Sequence, residues 1–398
     1  MYSDRPEIKR TIISHTVLLG LVALLVGWWN PPLLPCVFGL LLLGRSKSPA
    51  GRKKYRAWLR LTAYSLAIGL TLVTLFNYTI DPLWCFNHRN RWNAEQVGFN
   101  ERLQKTNLVT FRDFDYRSLL IGSSRVAVLD QNQFRGKAAF NYAAATMVPD
   151  EYGDYIRYAR KQNGKTFTTI LIGMDFFGTN ANYQKRFEKP EYYFSEANSF
   201  LYRYKMLLTY DTLRFSKNNL NAGGSEVRGT YNRGNVRTPK LGTREGRENL
   251  VRNQLFWFSA IGYGNNYHYD GRLREKLRRV REDNPGANFV VFTMPVSKPL
   301  FCLMVKKNRL PDYERWLRDL VAVFGAFYNF MDLNTVTRDY LRTFSDCDHL
   351  YPETGTLLAH RVLGIPDDSL PADFGKLVTR QNIDEIIASI QAQCTSCR

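Results

Sequence analysis

The chain's scarce histidines narrow the search for a base. There are five, His15, His88, His268, His349 and His360, in 398 residues. His349 stands apart because it lies in a loop, SDCDHLYPETG, that Pro352 turns into a helix, with Asp346 three residues before it. That spacing lets a carboxylate hold one imidazole nitrogen while the other serves as a base. Asp348, adjacent to His349, is expected to project away. A partner nucleophile is sought in residues 118–125, SLLIGSSR, where Leu119, Leu120 and Ile121 run into Gly122, Ser123 and Ser124. A short apolar run stopped by glycine reads as a buried strand ending in a tight turn. At the carboxyl edge of an open α/β sheet, such a turn can present Ser124 for nucleophilic attack on an acyl carbonyl. Taken singly, the two segments equally describe an ordinary strand end and a surface His–Asp pair.

The elements that must bring these groups together follow a regular rhythm. Apolar runs at 138–142, 168–174, 288–294 and 326–331 read as further strands. Between them lie helical patterns. One begins near Asp150, with Tyr152, Tyr155, Ile156 and Ala159 on one face and Gly164 as its stop. Others cover 272–282 and 311–324, and two more, at 354–363 and 382–390, finish the chain. Alternating strands and helices predict a three-layer α/β/α domain with a parallel sheet of about five strands. Residues 178–250 interrupt it as an insertion, helical over 200–215 and a long loop over 217–246. Loops that long are usually functional or disordered.

A serine first and an Asp-x-x-His last on such a sheet resemble the SGNH, or GDSL-type, hydrolase superfamily, over residues 117–364. Gly122-Ser123-Ser124 resembles the family's Gly-Asp-Ser, which implies Ser124 as nucleophile. Asn141-Tyr142-Ala143 resembles the second block, Gly173-Met174-Asp175 the third, and Asp346-Cys347-Asp348-His349 the fourth. The resemblance implies a triad of Ser124, His349 and Asp346. It places Asn141, Gly173 and Asp175 at the oxyanion and substrate side, with Arg125 there or in a structural salt bridge. No cofactor or metal is implied. Gly-Ser-Ser-Arg beside Asp175 is also similar to a membrane-anchored subgroup related to bacterial envelope-polymer O-acyltransferases.

Two departures bear on activity. The family draws oxyanion donors from the serine N–H, a second-block glycine N–H and a third-block asparagine side chain. Here Ala143 and Ala145 replace the glycine, and Asp175 offers an acceptor where a donor is expected. Either Asn141 supplies the donor, or Asp175 is protonated or misaligned, or turnover is slow or absent. Losing one such donor typically costs about a hundredfold or more in rate. A disulfide between Cys302 and Cys347 would brace the His349 loop, since both follow strands at the same sheet edge.

The first 80 residues have a different character. Residues 11–29 hold no Asp, Glu, Lys or Arg, and Asn30-Pro31-Pro32 breaks the run before a shorter apolar stretch at 33–43. The first stretch is long enough to span a bilayer; the second is a return leg, re-entrant or interfacial. Residues 45–60 carry seven basic side chains and no acid, and 61–80 is uncharged. The expected organisation is a membrane region at 1–80: an apolar hairpin over 11–44, a cytoplasmic basic loop over 45–60 and a transmembrane helix over 61–80. A connector at 81–112 and the α/β domain at 113–398 follow. Basic loops mark the cytoplasmic side, so the N-terminus is expected inside and the α/β domain outside the plasma membrane, periplasmic or extracellular.

Charge points the same way. Of the net +19, the loop holds +7 and the first ten residues +1, leaving +11 for residues 81–398. No zinc-finger spacing, RNP-like motif or Walker loop accompanies it, so no nucleic-acid partner is expected. The basic stretch 202–255 is either a solvated loop or a surface for an anionic polymer or lipid head group. Six cysteines are too few for a disulfide framework, and Cys394-x-x-Cys397 reads as a tail pair. Two functional readings follow. One is a membrane-anchored serine esterase or O-acyltransferase acting on an envelope glycan or lipid-linked polymer, with the glycan or an acyl-donor membrane protein as its partner. The other is an accessory or binding subunit that keeps the fold without turnover.

Overall fold

The computed structural model describes residues 49–134, 136–183, 187–221, 229–239 and 242–397. They form two compact units: residues 49–83 with 200–221, and residues 84–199 with 222–397. The expected hairpin at 11–44 lies outside the described residues.

In the first unit, helix α1 (Pro49–Ile80) runs unbroken. Its stretch Lys54–Ile80 is long and apolar enough to cross a membrane, with Leu61, Tyr64, Ile68, Leu72 and Leu75 exposed along it. From Pro49 on, the expected basic loop is helix instead. Its residues 52–60, RKKYRAWLR, are mostly good helix formers and include no proline or glycine.

The second unit holds a six-stranded sheet: β1 (Ser118–Ile121), β2 (Ala139–Asn141), β3 (Thr169–Met174), β4 (Asn288–Thr293), β5 (Ala326–Asn329) and β6 (Lys376–Thr379). Their order is β2-β1-β3-β4-β5-β6. The first five pair in parallel, as expected, and β6 adds an antiparallel edge that the sequence reading missed. Every residue of β1 and β3 is buried, and alternation splits them between two cores. Leu119, Ile121, Ile170 and Ile172 enter one core, and Leu120 and Leu171 the other. A parallel sheet covered on both faces requires such unbroken apolar runs. The strand order reverses between β1 and β3, so their carboxyl ends border the crevice where doubly wound sheets place ligands.

Residues 81–112, the connector, contain a helix, α2 (Glu101–Phe111), capped by Asn100 through its side chain on Leu103 N–H. One expectation about this unit is corrected: the expected long loop at 217–246 includes a hairpin, Gly229–Asn232 with Arg237–Pro239, which pairs with Glu95–Gln96 in a small second sheet. Helix α3 (Pro149–Asn163) follows β2 as expected and ends at Gly164 in the left-handed region. In the first unit, the helix expected over 200–215 is divided into α4 (Tyr202–Met206) and α5 (Tyr210–Leu220), with Thr209 capping the second.

The disulfide joins Cys302 to Cys397, with Cα atoms 4.9 Å apart, and not to Cys347. The C-terminal turn Cys394–Cys397 packs near the helix Lys298–Lys306, which brings Cys397 to Cys302 across 95 residues. Cys347 and Cys394 remain buried thiols.

Candidate active site

The turn that carries Ser124 depends on two glycines. At Gly122 the backbone has φ of 154°, and a Cβ there would meet Val126 Cγ2 at 2.5 Å and Gly173 O at 2.6 Å. At Gly173 a Cβ would meet the same Val126 methyl at 2.2 Å. Gly173 therefore acts by letting the turn after β1 lie flat against β3. The chain then makes a single helical turn, Ser124–Ala127, capped by Ser123 Oγ, which accepts from Arg125 N–H at 3.1 Å. That turn places Ser124 at the carboxyl end of β1.

Across the sheet edge, His349 Nε2 lies 2.9 Å from Ser124 Oγ. His349 Nδ1 lies 2.8 Å from Asp346 Oδ2. The three residues picked from the sequence thus meet in triad order, although Ser124 and His349 are 225 positions apart. Asp346 also folds its own loop, accepting the backbone N–H groups of Asp348 and His349 at 3.0 and 2.8 Å. Gln254, on helix α6 (Arg244–Trp257), closes the arrangement from outside. It donates to Asp346 Oδ2 at 3.0 Å and accepts Cys347 N–H at 2.9 Å.

Asp348 does not project away. Its Oδ1 stands 3.0 Å from His349 Nδ1, and its Oδ2 takes the Arg125 guanidinium at 2.8 and 3.0 Å. Arg125 reaches Asp175 Oδ1 with its other arm at 2.9 Å. It is 1% exposed and lies over the Phe177 and Phe258 rings. Arg125 thus ties the Ser124 turn, the end of β3 and the His349 loop together. Its position is that of the structural salt bridge, with both anions supplied by the protein.

The charges around His349 set its proton affinity. Burial disfavours the imidazolium, but Asp346 and Asp348 outweigh it and raise His349 to about 10. Burial pushes Asp175 up, while Arg125 pulls it back, leaving a net rise. For Asp348, burial is outweighed by Arg125 and His349, which hold the carboxyl well below its usual range.

Asn141 and the second block do not supply a free donor. Asn141 Nδ2 gives its hydrogens to Val126 O and Leu129 O, both at 2.9 Å, so it braces the turn that follows Ser124. The N–H groups of Ala143, Ala144 and Ala145 go to Asn141 Oδ1, Gly122 O and Glu101 Oε2, at 3.1, 3.1 and 2.6 Å. Beneath this loop, Lys105 Nζ donates to Ala143 O at 2.7 Å and Arg102 to Ala145 O at 2.6 Å. Glu101 is paired there with Tyr231 and Arg237. Burial, reinforced by Arg237 and opposed by Glu101, brings Lys105 down to about 7. The donor best placed for an oxyanion is Ser124's own N–H, in the first helical turn where no intrahelical acceptor exists.

Ligand atoms of Asp346, Asp348 and His349 converge within 4.8 Å, the one such three-residue cluster among the described residues. The same side chains also hold Gln254, Arg125 and Ser124, through Asp346 Oδ2, Asp348 Oδ2 and His349 Nε2. Family models, curated proteins and solved structures gave no match to the chain.

Proposed function

We propose that this protein is a membrane-anchored, extracytoplasmic serine esterase or O-acyltransferase of SGNH type, acting on an envelope glycan or lipid-linked polymer. The contact that carries the reading is Ser124 Oγ to His349 Nε2 at 2.9 Å, with Asp346 on the far nitrogen. In the proposed reaction Ser124 Oγ attacks an ester carbonyl while His349 accepts its proton. Asp346 holds the ring and stabilises the imidazolium. Collapse of the tetrahedral adduct breaks the ester C–O bond, and His349 returns the proton to the departing alcohol. A water or sugar hydroxyl then gives its proton to His349 and attacks the acyl carbon, and as the acyl–serine bond breaks His349 returns that proton to Ser124 Oγ. Helix α1 supplies the anchor, with the N-terminus inside and the α/β unit outside the plasma membrane.

One observation favours a second reading, an accessory subunit that binds without turnover. The second-block N–H groups and the Asn141 amide are spent inside the protein, and Asp175 faces Arg125. A fluorophosphonate probe separates the two. Covalent labelling of Ser124, abolished in Ser124→Ala, supports the enzyme. An unlabelled Ser124 in folded protein supports the accessory subunit.

A further inference from the structure

Segment 200–221 is built for a membrane surface. Asn77, in the last turn of α1, is fully buried. Its Nδ2 donates to Leu207 O at 2.8 Å and its Oδ1 accepts Ser216 Oγ at 2.8 Å. These two bonds fix α4 and α5 to the end of the apolar helix. A stretch of 27 residues, Lys54–Ile80, is about 40 Å long at about 1.5 Å per residue. Hydrocarbon cores are about 30 Å thick, a span that the uncharged residues 61–80 fill by themselves, which leaves the basic residues 54–60 beyond the core at the far end and puts the Ile80 end at its edge, beside the head groups. Whatever is fastened to Asn77 lies there too.

The composition of 200–221 suits that level. Phe200 is 79% exposed and Leu201 50%, and Tyr204, Leu208, Tyr210 and Leu220 are exposed as well. Single exposed apolar side chains are ordinary, but such a cluster in one short segment signals an interaction surface. The cations Arg203, Lys205, Arg214 and Lys217 accompany one acid, Asp211, which pairs with Arg214 at 3.3 Å. Aromatic and aliphatic side chains beside lysines describe an interfacial element, apolar groups among the acyl-chain ends and cations on phosphates.

We propose that α4 and α5 lie in the head-group layer of the leaflet at the Ile80 end of α1. There they insert Phe200, Leu201, Tyr204 and Leu208, and hold Lys205 and Lys217 against anionic phospholipid. The proposal rests on α1 spanning the bilayer and is independent of the triad's activity.

Nitroxide depth measurement on the full chain tests it, in nanodiscs of phosphatidylcholine with or without phosphatidylglycerol. In a Cys36→Ser background, labels are placed at Leu72→Cys, Phe200→Cys, Leu208→Cys and the exposed Glu282→Cys. Leu72 reports the span. At 200 and 208, oxygen should relax the label more than a water-soluble nickel chelate does, at a depth of about 5–10 Å. The order should reverse at 282. Lys205→Glu with Lys217→Glu should move the labels toward water only where phosphatidylglycerol is present. A deep label at 72 with nickel-accessible labels at 200 and 208 overturns the proposal while sparing the span. Labels at 200 and 208 screened from both reagents mean that protein, such as a second copy, covers the surface, and this too overturns it. A nickel-accessible label at 72 removes the span itself.

Discussion

The guanidinium of Arg125 and the carboxylate of Asp348 meet at 2.8 Å in the protein interior, joining two segments 223 positions apart. Because Asp348 also touches His349 Nδ1, the residue after Ser124 is tied to the loop that carries His349. Asp175 takes the second arm of the same guanidinium, so an aspartate at the third-block position and an arginine after the serine form one unit.

Removing Arg125 should therefore cost stability and geometry together. Arg125→Met leaves Asp175 and Asp348 buried without their cation, a loss of roughly 3–5 kcal/mol. Arg125→Lys should recover little, because one ammonium cannot span two carboxylates as the planar fork does. Urea denaturation of the three proteins in the same detergent measures this. A midpoint for Arg125→Met equal to that of the parent contradicts the assigned role.

The two carboxylates on His349 predict an alkaline pH profile. With the imidazole raised to about 10, attack by Ser124 needs a free base that is scarce at neutral pH. Turnover should therefore climb with pH toward that value. Asp348→Asn removes one of the anions that favour the imidazolium and should move the limb to lower pH. The raised pKa also acts on stability. Its contribution is full below the unfolded value of 6.5 and is lost as pH rises through about 10. Rate profiles of parent and Asp348→Asn check the first claim, and denaturation at pH 6 and pH 10 the second. Coincident rate profiles would exclude Asp348 as a modulator of the base.

The redox state is equally specific. Non-reducing peptide mapping of the purified protein should recover a Cys302–Cys397 peptide pair, with Cys347 and Cys394 as thiols. Cys302→Ser should lower stability by about 2–4 kcal/mol. A Cys302–Cys347 pair would mean that the His349 loop is braced differently.

How far the sequence reveals these features depends on what each is made of. The strands β1 and β3 are legible because both of their faces are buried, which forces unbroken apolar runs bounded by Gly122 and by Asp175. Ser124 is legible because it lies just beyond a strand end, and Asp346 and His349 because they stand three apart in the loop before the helix that begins at Pro352. Helix α2 is hidden because its buried residues are mostly polar, Glu101, Arg102, Gln104, Lys105, Thr106 and Asn107, with only Leu108 and Val109 apolar. Apolar periodicity cannot register a helix packed through charge. The strand β6 is only four residues long, KLVT, and half-covered at a sheet edge, so it lacks a clear pattern. The directions of Asp348 and Asn141 are set by partners distant in the chain or in a neighbouring turn, Arg125 for one and Val126 O and Leu129 O for the other. Gln254 shows the same limit, since nothing local in α6 indicates that it holds Asp346.

The central claim is that Ser124 forms an acyl intermediate through His349. Hydrolysis of an aryl acetate by the full-length protein in detergent, beside Ser124→Ala and His349→Ala, tests it most directly. Turnover by the parent that falls by at least about a thousandfold in both variants is the predicted result. Equal rates in all three proteins, with folding intact, would contradict the account and leave the triad geometry to a protein that binds without reacting.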